Sequence, residues 1–338
     1  MRAARLHGQG RPLSIEDVDR PSAGPGEVLV RVAAAGVCGT ELHFLDGLLR
    51  PAKTPIVLGH EVAGTVAESG EGVEGLAPGD PVAVHYFHPC RRCRECRSGR
   101  EHLCESPLGF LAFASDGGFA EYVVVPETAL VPIPEGLSFE QAAPLCCSAT
   151  TALHALHVSG LEMGDTAVVY GCGGVGLQLV QVLALAGVRT LAVSRSAGKL
   201  ALAEELGAEA AIDASAGSVA EAIRRSTGGR GADAVFELVG SRETMPEGLA
   251  ALARGGALVF VGYSFDRLDL NPLDMVVPET RILTSVGNTH LELVEALELA
   301  ARGRIRPLVH DTAPLEEANR VLDDLRGGHV VGRAVLTP

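Results

Sequence analysis

The rhythm of hydrophobic and polar positions changes twice along this chain. Up to about residue 145, short apolar runs are broken every few positions by Gly and Pro. Examples are EVLVRVAAAG (27–36), EVAGTVAESG (61–70), DPVAVHY (80–86) and AEYVVVP (120–126). Val-rich runs of this length between turn residues read as strands, so this stretch predicts a β-rich, barrel-like fold. From about Leu145, apolar strands alternate with helical spacing. TAVVYG (166–171) reads as a strand, VGLQLVQVLALAG (175–187) as a helix stopped by Gly187, and TLAVSR (190–195) as a second strand. KLALAEELG (199–207), AVFELVG (234–240) and ALVFVGY (257–263) continue the alternation. That pattern predicts a doubly wound parallel sheet. Near Gly287 the rhythm changes again, to a helix at HLELVEALELAARG (290–303) and a β-run at GRAVLTP (332–338). The closing segment is too short for a domain and is expected to return to the first one. The expected class is α/β, with residues 1–148 and 287–338 in one domain and 149–286 in the other.

Composition narrows the function classes. A length of 338 residues suits about two domains, and 47% hydrophobic residues supply their cores. No apolar run approaches the ~20 residues of a membrane span. The opening MRAARLHGQGRPL has no apolar signal core, so the cytoplasm is the expected location. In a reducing compartment the eight cysteines read as metal ligands or thiols rather than disulfides. A formal charge of −14 argues against nucleic acid or an anionic membrane as partner and leaves a small molecule.

Two motifs carry chemistry by themselves. Cys90, Cys93, Cys96 and Cys104 are spaced C-x2-C-x2-C-x7-C, which fits a closed four-thiolate zinc site that shapes a loop and does no catalysis. Arg91, Arg92, Arg94, Arg97 and Arg100 lie in the same lobe and would offset its negative charge. A nucleic-acid zinc ribbon fits less well, because it needs two separated CxxC knuckles. The second motif, Gly171-Cys172-Gly173-Gly174-Val175-Gly176, follows a predicted strand and opens a predicted helix. Its glycines would let a dinucleotide pyrophosphate approach the helix N-terminus. The next strand ends in Ser194-Arg195, with Lys199 nearby, and no carboxylate stands there to hold a ribose 2′-hydroxyl. A hydroxyl and a guanidinium there suit a 2′-phosphate, so NADP(H) is expected over NAD(H).

The stretch Gly59-His60-Glu61-x2-Gly64-x5-Gly70-x2-Val73, followed by the four-cysteine lobe and the glycine loop, resembles the zinc-dependent medium-chain alcohol dehydrogenases over the whole chain. The resemblance implies a GroES-like catalytic domain formed by both ends of the chain and a central Rossmann domain. It implies two zinc ions per chain. Cys38, His60 and Cys147 match the ligands of the catalytic one, with Cys146 as the neighbouring alternative to Cys147. Two thiolates and one imidazole would leave a coordination position open for an alcohol or carbonyl oxygen. Glu61 matches the family's glutamate beside the ligands, and Thr40 and His43 match its proton relay. Tyr86 matches a substrate-pocket residue. Arg333 matches an arginine that approaches the cofactor or pairs with an acid near the first ligand, here expected to be Glu41. Gly39 stands where some members carry a basic residue. A long insertion of the larger dimeric members is missing, which makes a homotetramer the expectation and a dimer the alternative. The function implied is hydride transfer between an alcohol and NAD(P). Reduction of an activated C=C or C=N bond on the same fold is the runner-up, and a non-enzymatic descendant would not need an open zinc.

Overall fold

The computed structural model describes every residue from Met1 to Pro338. The chain forms two compact units, Met1–Thr150 with Gly287–Pro338, and Thr151–Val286.

The first unit is organised by one long strand, Glu27–Val37, whose Val and Ala side chains are buried along most of its length. Glu61–Ser69 pairs with it antiparallel on one side. The other side is shared between two segments far apart in sequence. Tyr122–Pro126 pairs with residues 27–31, and Arg333–Thr337 pairs with residues 35–37. Pro81–Val84 and Leu130–Pro132 extend the sheet beyond Glu61–Ser69, and Val309–Pro314 runs parallel to Arg333–Thr337. Val28, Val30, Val37, Val62, Val82 and Leu336 meet in one apolar cluster beneath these strands. The strand pair at the centre leaves no room for a side chain at Gly64, where a Cβ would fall 2.1 Å from the Arg31 carbonyl oxygen.

The second unit is a six-stranded sheet, parallel throughout. Its order is Ala210–Asp213, Arg189–Ser194, Thr166–Tyr170, Ala232–Glu237, Leu252–Phe260, Arg281–Thr284. Counted along the chain this is the doubly wound order, with the connection reversing direction between Thr166–Tyr170 and Ala232–Glu237. Such a reversal opens a crevice at the carboxyl ends of the two strands, where ligands bind. Gly171 leaves the first of them with φ of +115°, a left-handed conformation that favours glycine. The helix Gly174–Leu185 follows at once. Gly176 packs its first turn against the strand so closely that a Cβ would lie 1.9 Å from the Gly171 carbonyl oxygen. The segment read from sequence as a strand at 257–263 begins earlier, at Leu252, and ends at Phe260. No helix is long and apolar enough to cross a membrane.

Replacing Gly64 by Ala is expected to force the two central strands apart. Overpacking of that kind costs about 1–3 kcal/mol and lowers the unfolding temperature by several degrees, readable by scanning calorimetry. An unchanged midpoint would show that the strand pair can give way freely.

Candidate active site

Two groups of ligating side chains form, each with its ligand atoms within 4.8 Å of one another. One is Cys90, Cys93, Cys96 and Cys104; the other is Cys38, His60, Glu61 and Cys147.

In the first group the backbone turns its amides toward sulfur. Cys93 N–H donates to Cys90 Sγ at 3.4 Å, Cys96 N–H to Cys93 Sγ at 3.5 Å, and Cys90 N–H to Cys104 Sγ at 3.2 Å. The amides of Arg92 and Cys93 bring the Cys90 thiol down to about 6, so it is ionised at neutral pH. Cys93 lies 3.4 Å from Cys96 and 3.9 Å from Cys104, and Cys90 lies 4.0 Å from Cys96. A tetrahedron with Zn–S bonds of ~2.3 Å has sulfur–sulfur edges of about 3.8 Å, so the four thiols fit one zinc ion. Two of the five arginines of the lobe are committed elsewhere. Arg91 donates to the Thr128 carbonyl at 2.7 Å, and Arg100 pairs with Glu95.

The second group is buried throughout and draws on three separate segments, and Arg333 joins it from a fourth. Cys38 ends the strand Glu27–Val37 and caps the helix Gly39–Asp46. His60 and Glu61 open the strand Glu61–Ser69 from outside and inside. Cys147 follows the helix Phe139–Leu145, and Arg333 comes from the strand Arg333–Thr337. Of the two adjacent cysteines, Cys147 joins the group. Cys146 faces the core, its thiol donating to the carbonyls of Val62 at 3.5 Å and Ala142 at 3.6 Å.

Glu41 turns His60 toward the group. One of its oxygens accepts from His60 Nδ1 at 2.8 Å, and the other accepts from the Cys38 amide at 2.9 Å. With Nδ1 so held, Nε2 is left for a ligand, the arrangement that fixes ligating histidines in metal sites. Burial opposes a charge on His60, but Glu41 and Cys38 outweigh it and hold its pKa well above 6.5. The Cys147 thiol hydrogen-bonds Cys38 and, with help from Arg333 and His60, holds Cys38 well below the usual thiol range; Cys147 is pushed up in turn.

Arg333 is placed differently from the sequence expectation. Its partner is Glu61, not Glu41: Arg333 Nε donates to Glu61 Oε1 at 2.9 Å, and another nitrogen donates to Cys38 Sγ at 3.3 Å. Glu41 is occupied by His60, and Glu61 is the acid that its strand carries inward. Burial raises the Glu61 pKa to about 7 even against the pull of Arg333. Its second oxygen, Oε2, is buried with no hydrogen-bond partner. A buried, unpartnered carboxylate oxygen beside two thiols and an imidazole is a donor set that a divalent cation completes, and zinc fits it.

Around this group, Thr40 Oγ1 lies 3.7 Å from Cys38 Sγ, and His43 follows on the same helix, half-buried. The rings of Tyr86 and Phe113 bracket the His60 imidazole at 5.3 Å and 6.2 Å. In the second unit, the glycine loop lies at the strand reversal. Cys172 is packed inside it, donating to the Val193 carbonyl. Lys199 interacts electrostatically with Cys172, which puts its ammonium near the loop. Ser194 ends the neighbouring strand and Arg195 follows it. The carboxylate paired with Ser194 across the sheet, Asp213, is occupied by Ser215. Sequence reasoning missed the role of Glu41, although its place three residues after Cys38 is the acidic position of a capping box. It also missed Asn288, which no local signal marks.

A doubly wound nucleotide unit and a buried Cys–His–Cys site in one chain define a nicotinamide-linked, metal-dependent oxidoreductase. Comparison with known proteins specifies the family. Residues 24–135 match the alcohol dehydrogenase GroES-like domain, and residues 174–302 match the zinc-binding dehydrogenase domain. An NAD-dependent alcohol dehydrogenase of Sulfurisphaera tokodaii is 36% identical over 348 residues, covering 100% of both chains. The crystal structure of an alcohol dehydrogenase from Aeropyrum pernix superimposes with a TM-score of 0.94 at 37% identity, again over 100% of both chains. A protein of Sinorhizobium meliloti 1021, described as a zinc-binding dehydrogenase and solved with NADP, gives 0.90 at 34% identity over 100% of this chain and 99% of its own. The chain belongs to the zinc-dependent medium-chain alcohol dehydrogenases. It is an oxidoreductase acting on CH–OH groups, with zinc and a nicotinamide cofactor.

Glu41→Ala removes the acceptor that orients His60. It is expected to weaken zinc at this site by about 10–100-fold, the usual effect of losing such a partner, and to leave the four-cysteine lobe loaded. Zinc retained per chain against a graded chelator measures this, and wild-type retention would sink the role.

Proposed function

We propose that the protein interconverts alcohols with aldehydes or ketones by hydride exchange with a nicotinamide cofactor, NADP(H) in preference to NAD(H). The observation that carries the reading is the buried set Cys38, His60, Glu61 and Cys147; with the two thiols and the imidazole as ligands, the fourth position would be shared between the Glu61 carboxylate and a substrate oxygen. Zinc at that site would supply Lewis acidity to the oxygen, and a bound nicotinamide would be the hydride partner. The remaining work belongs to the chain. Arg333 holds one oxygen of Glu61, and the other, unpartnered oxygen would serve as a stand-in ligand when no substrate is bound. Thr40 takes the alcohol proton and passes its own to His43, which stands one turn further along the same helix face. Burial holds His43 below the ordinary imidazole value of 6.5, so at neutral pH it is uncharged and able to accept.

For the cofactor, Gly171, Gly173, Gly174, Val175 and Gly176 form the pyrophosphate cradle. Ser194, Arg195 and Lys199 receive the 2′-phosphate. Ser194 Oγ accepts from the Ser196 amide at 3.1 Å, which leaves the hydroxyl proton to donate. Arg333, held by Glu61 and Cys38, braces the metal site. The substrate is a small alcohol or carbonyl compound, and Tyr86 forms part of its pocket wall. We infer a cytoplasmic homo-oligomer, a tetramer over a dimer. Self-association is supported by the sheet edge Arg281–Thr284, which is open, and by the exposed Leu273 and Val276 in the helix that precedes it in the chain.

The deciding experiment is a panel of primary, secondary and aromatic alcohols with NAD⁺ and NADP⁺ in parallel, on protein of known zinc content. Turnover with about two zinc ions per chain is expected. No alcohol turnover at that zinc content would move the reading to activated C=C or C=N substrates. Thr40→Ala is expected to lower kcat by about 10²–10⁴-fold, the range of general acid–base catalysis, at unchanged zinc content; a kcat within about twofold of wild type would remove Thr40 from the relay. Ser194→Asp is expected to shift the NADP⁺/NAD⁺ ratio of kcat/KM toward NAD⁺ by at least about tenfold, since a carboxylate repels a 2′-phosphate and holds a 2′-hydroxyl. An unmoved ratio would show that the cofactor is chosen elsewhere.

A further inference from the structure

Tyr86 lies just past the strand Pro81–Val84 and keeps only 6% of its surface exposed. Its ring meets His60 edge-on and stacks on Phe110 at 5.7 Å; Phe110 in turn stacks on Phe113 at 3.8 Å. A phenol oxygen removed from water has to keep a hydrogen bond. Asn288 provides it, its Nδ2 donating to the Tyr86 hydroxyl at 2.8 Å. Asn288 is itself wholly buried, and its amide is fixed from the other end. His85 Nε2 lies 3.0 Å from Asn288 Oδ1 and 3.3 Å from the Asn288 carbonyl oxygen. Both are acceptors, so Nε2 is the protonated nitrogen and the direction of the string is set: His85 to Asn288 to Tyr86. The next residue, Thr289, caps the helix His290–Ala301. A leucine would fill the same space, yet it could satisfy neither neighbour.

We propose that Asn288 is a specificity-determining positioning residue for the alcohol dehydrogenase reaction. By holding the Tyr86 hydroxyl, it fixes the Tyr86 ring against the ligand His60. It thereby sets which substituents an alcohol can carry beside its reacting carbon. The stack of Tyr86, Phe110 and Phe113 makes the substituent met by this wall an apolar one. The proposal rests on the functional reading above.

The test uses zinc-loaded full-length enzyme carrying 3-fluorotyrosine, which gives only four fluorine resonances because the chain has 4 tyrosines. Tyr86→Phe identifies the Tyr86 line by its loss. In Asn288→Leu that line is expected to shift or broaden at unchanged zinc content. KM for alcohols with apolar substituents is expected to rise about five- to tenfold, the worth of one hydrogen bond, with kcat within about twofold. Tyr86→Phe is expected to raise KM in the same direction, and the double variant no further, because both changes delete one interaction. An unmoved Tyr86 line overturns the positioning role. A moved line with unchanged KM, or additive effects in the double variant, overturns the specificity role. If Asn288→Leu fails to fold, Asn288→Ser, too short to reach Tyr86, takes its place. A wild-type enzyme without alcohol turnover would refute the functional reading instead, and the fluorine line would still decide whether Asn288 positions Tyr86.

Discussion

Charge buried at one point is the constraint from which the first unit takes its form. Cys38, His60, Glu61, Glu41, Cys147 and Arg333 are all removed from water, and none could be so at tolerable cost without the others. Arg333 answers Glu61 and Cys38, Glu41 answers His60, and a metal ion answers what remains. Removing one member of such a set strands the charge of another, which costs several kcal/mol in typical buried pairs, on the order of 3–5. The long strand Glu27–Val37 brings Cys38 to the point, and its two antiparallel neighbours bring Glu61 and Arg333. The sheet is thus the frame on which a charge cluster is suspended, and the glycine at 64 belongs to that frame because it lets the central strands close.

The second unit answers a different need, that of bringing backbone close to a phosphate group. It does so with absent side chains. Gly171 permits the turn, Gly176 permits the contact of helix with strand, and the amides at the start of the helix Gly174–Leu185 are left pointing outward. Ser194 ends the following strand and Arg195 comes next, with Asp213 paired to Ser194 on the neighbouring strand.

Features written in consecutive residues were legible in the sequence. The thiol lobe folds on itself within 15 residues, and the glycine loop is announced by the strand before it and the helix after it. The Val-rich strands of the first unit also showed, since each is buried along most of its length. Pairing across long separations did not show. Glu41 and Glu61 are both acids near the first ligand, and spacing alone cannot tell which one a strand 272 residues away will reach. The same holds for His85 and Asn288, 203 residues apart. The strands Ala210–Asp213 and Arg281–Thr284, four residues each, are too short to impose a rhythm. Whether Cys146 or Cys147 turns inward depends on the helix that precedes them, and adjacent positions point in different directions.

The strand Arg333–Thr337 lies directly beside residues 35–37, near the other end of the chain. A ribosome makes residues 35–37 early and Arg333 only after the entire nucleotide unit has emerged. Throughout synthesis, therefore, the first unit has an open sheet edge and Glu61 has no guanidinium to face. The nucleotide unit, contiguous in sequence, has every strand it needs well before that. Neither the sheet edge beside residues 35–37 nor the ion pair of Glu61 can close until the strand Arg333–Thr337 has been made.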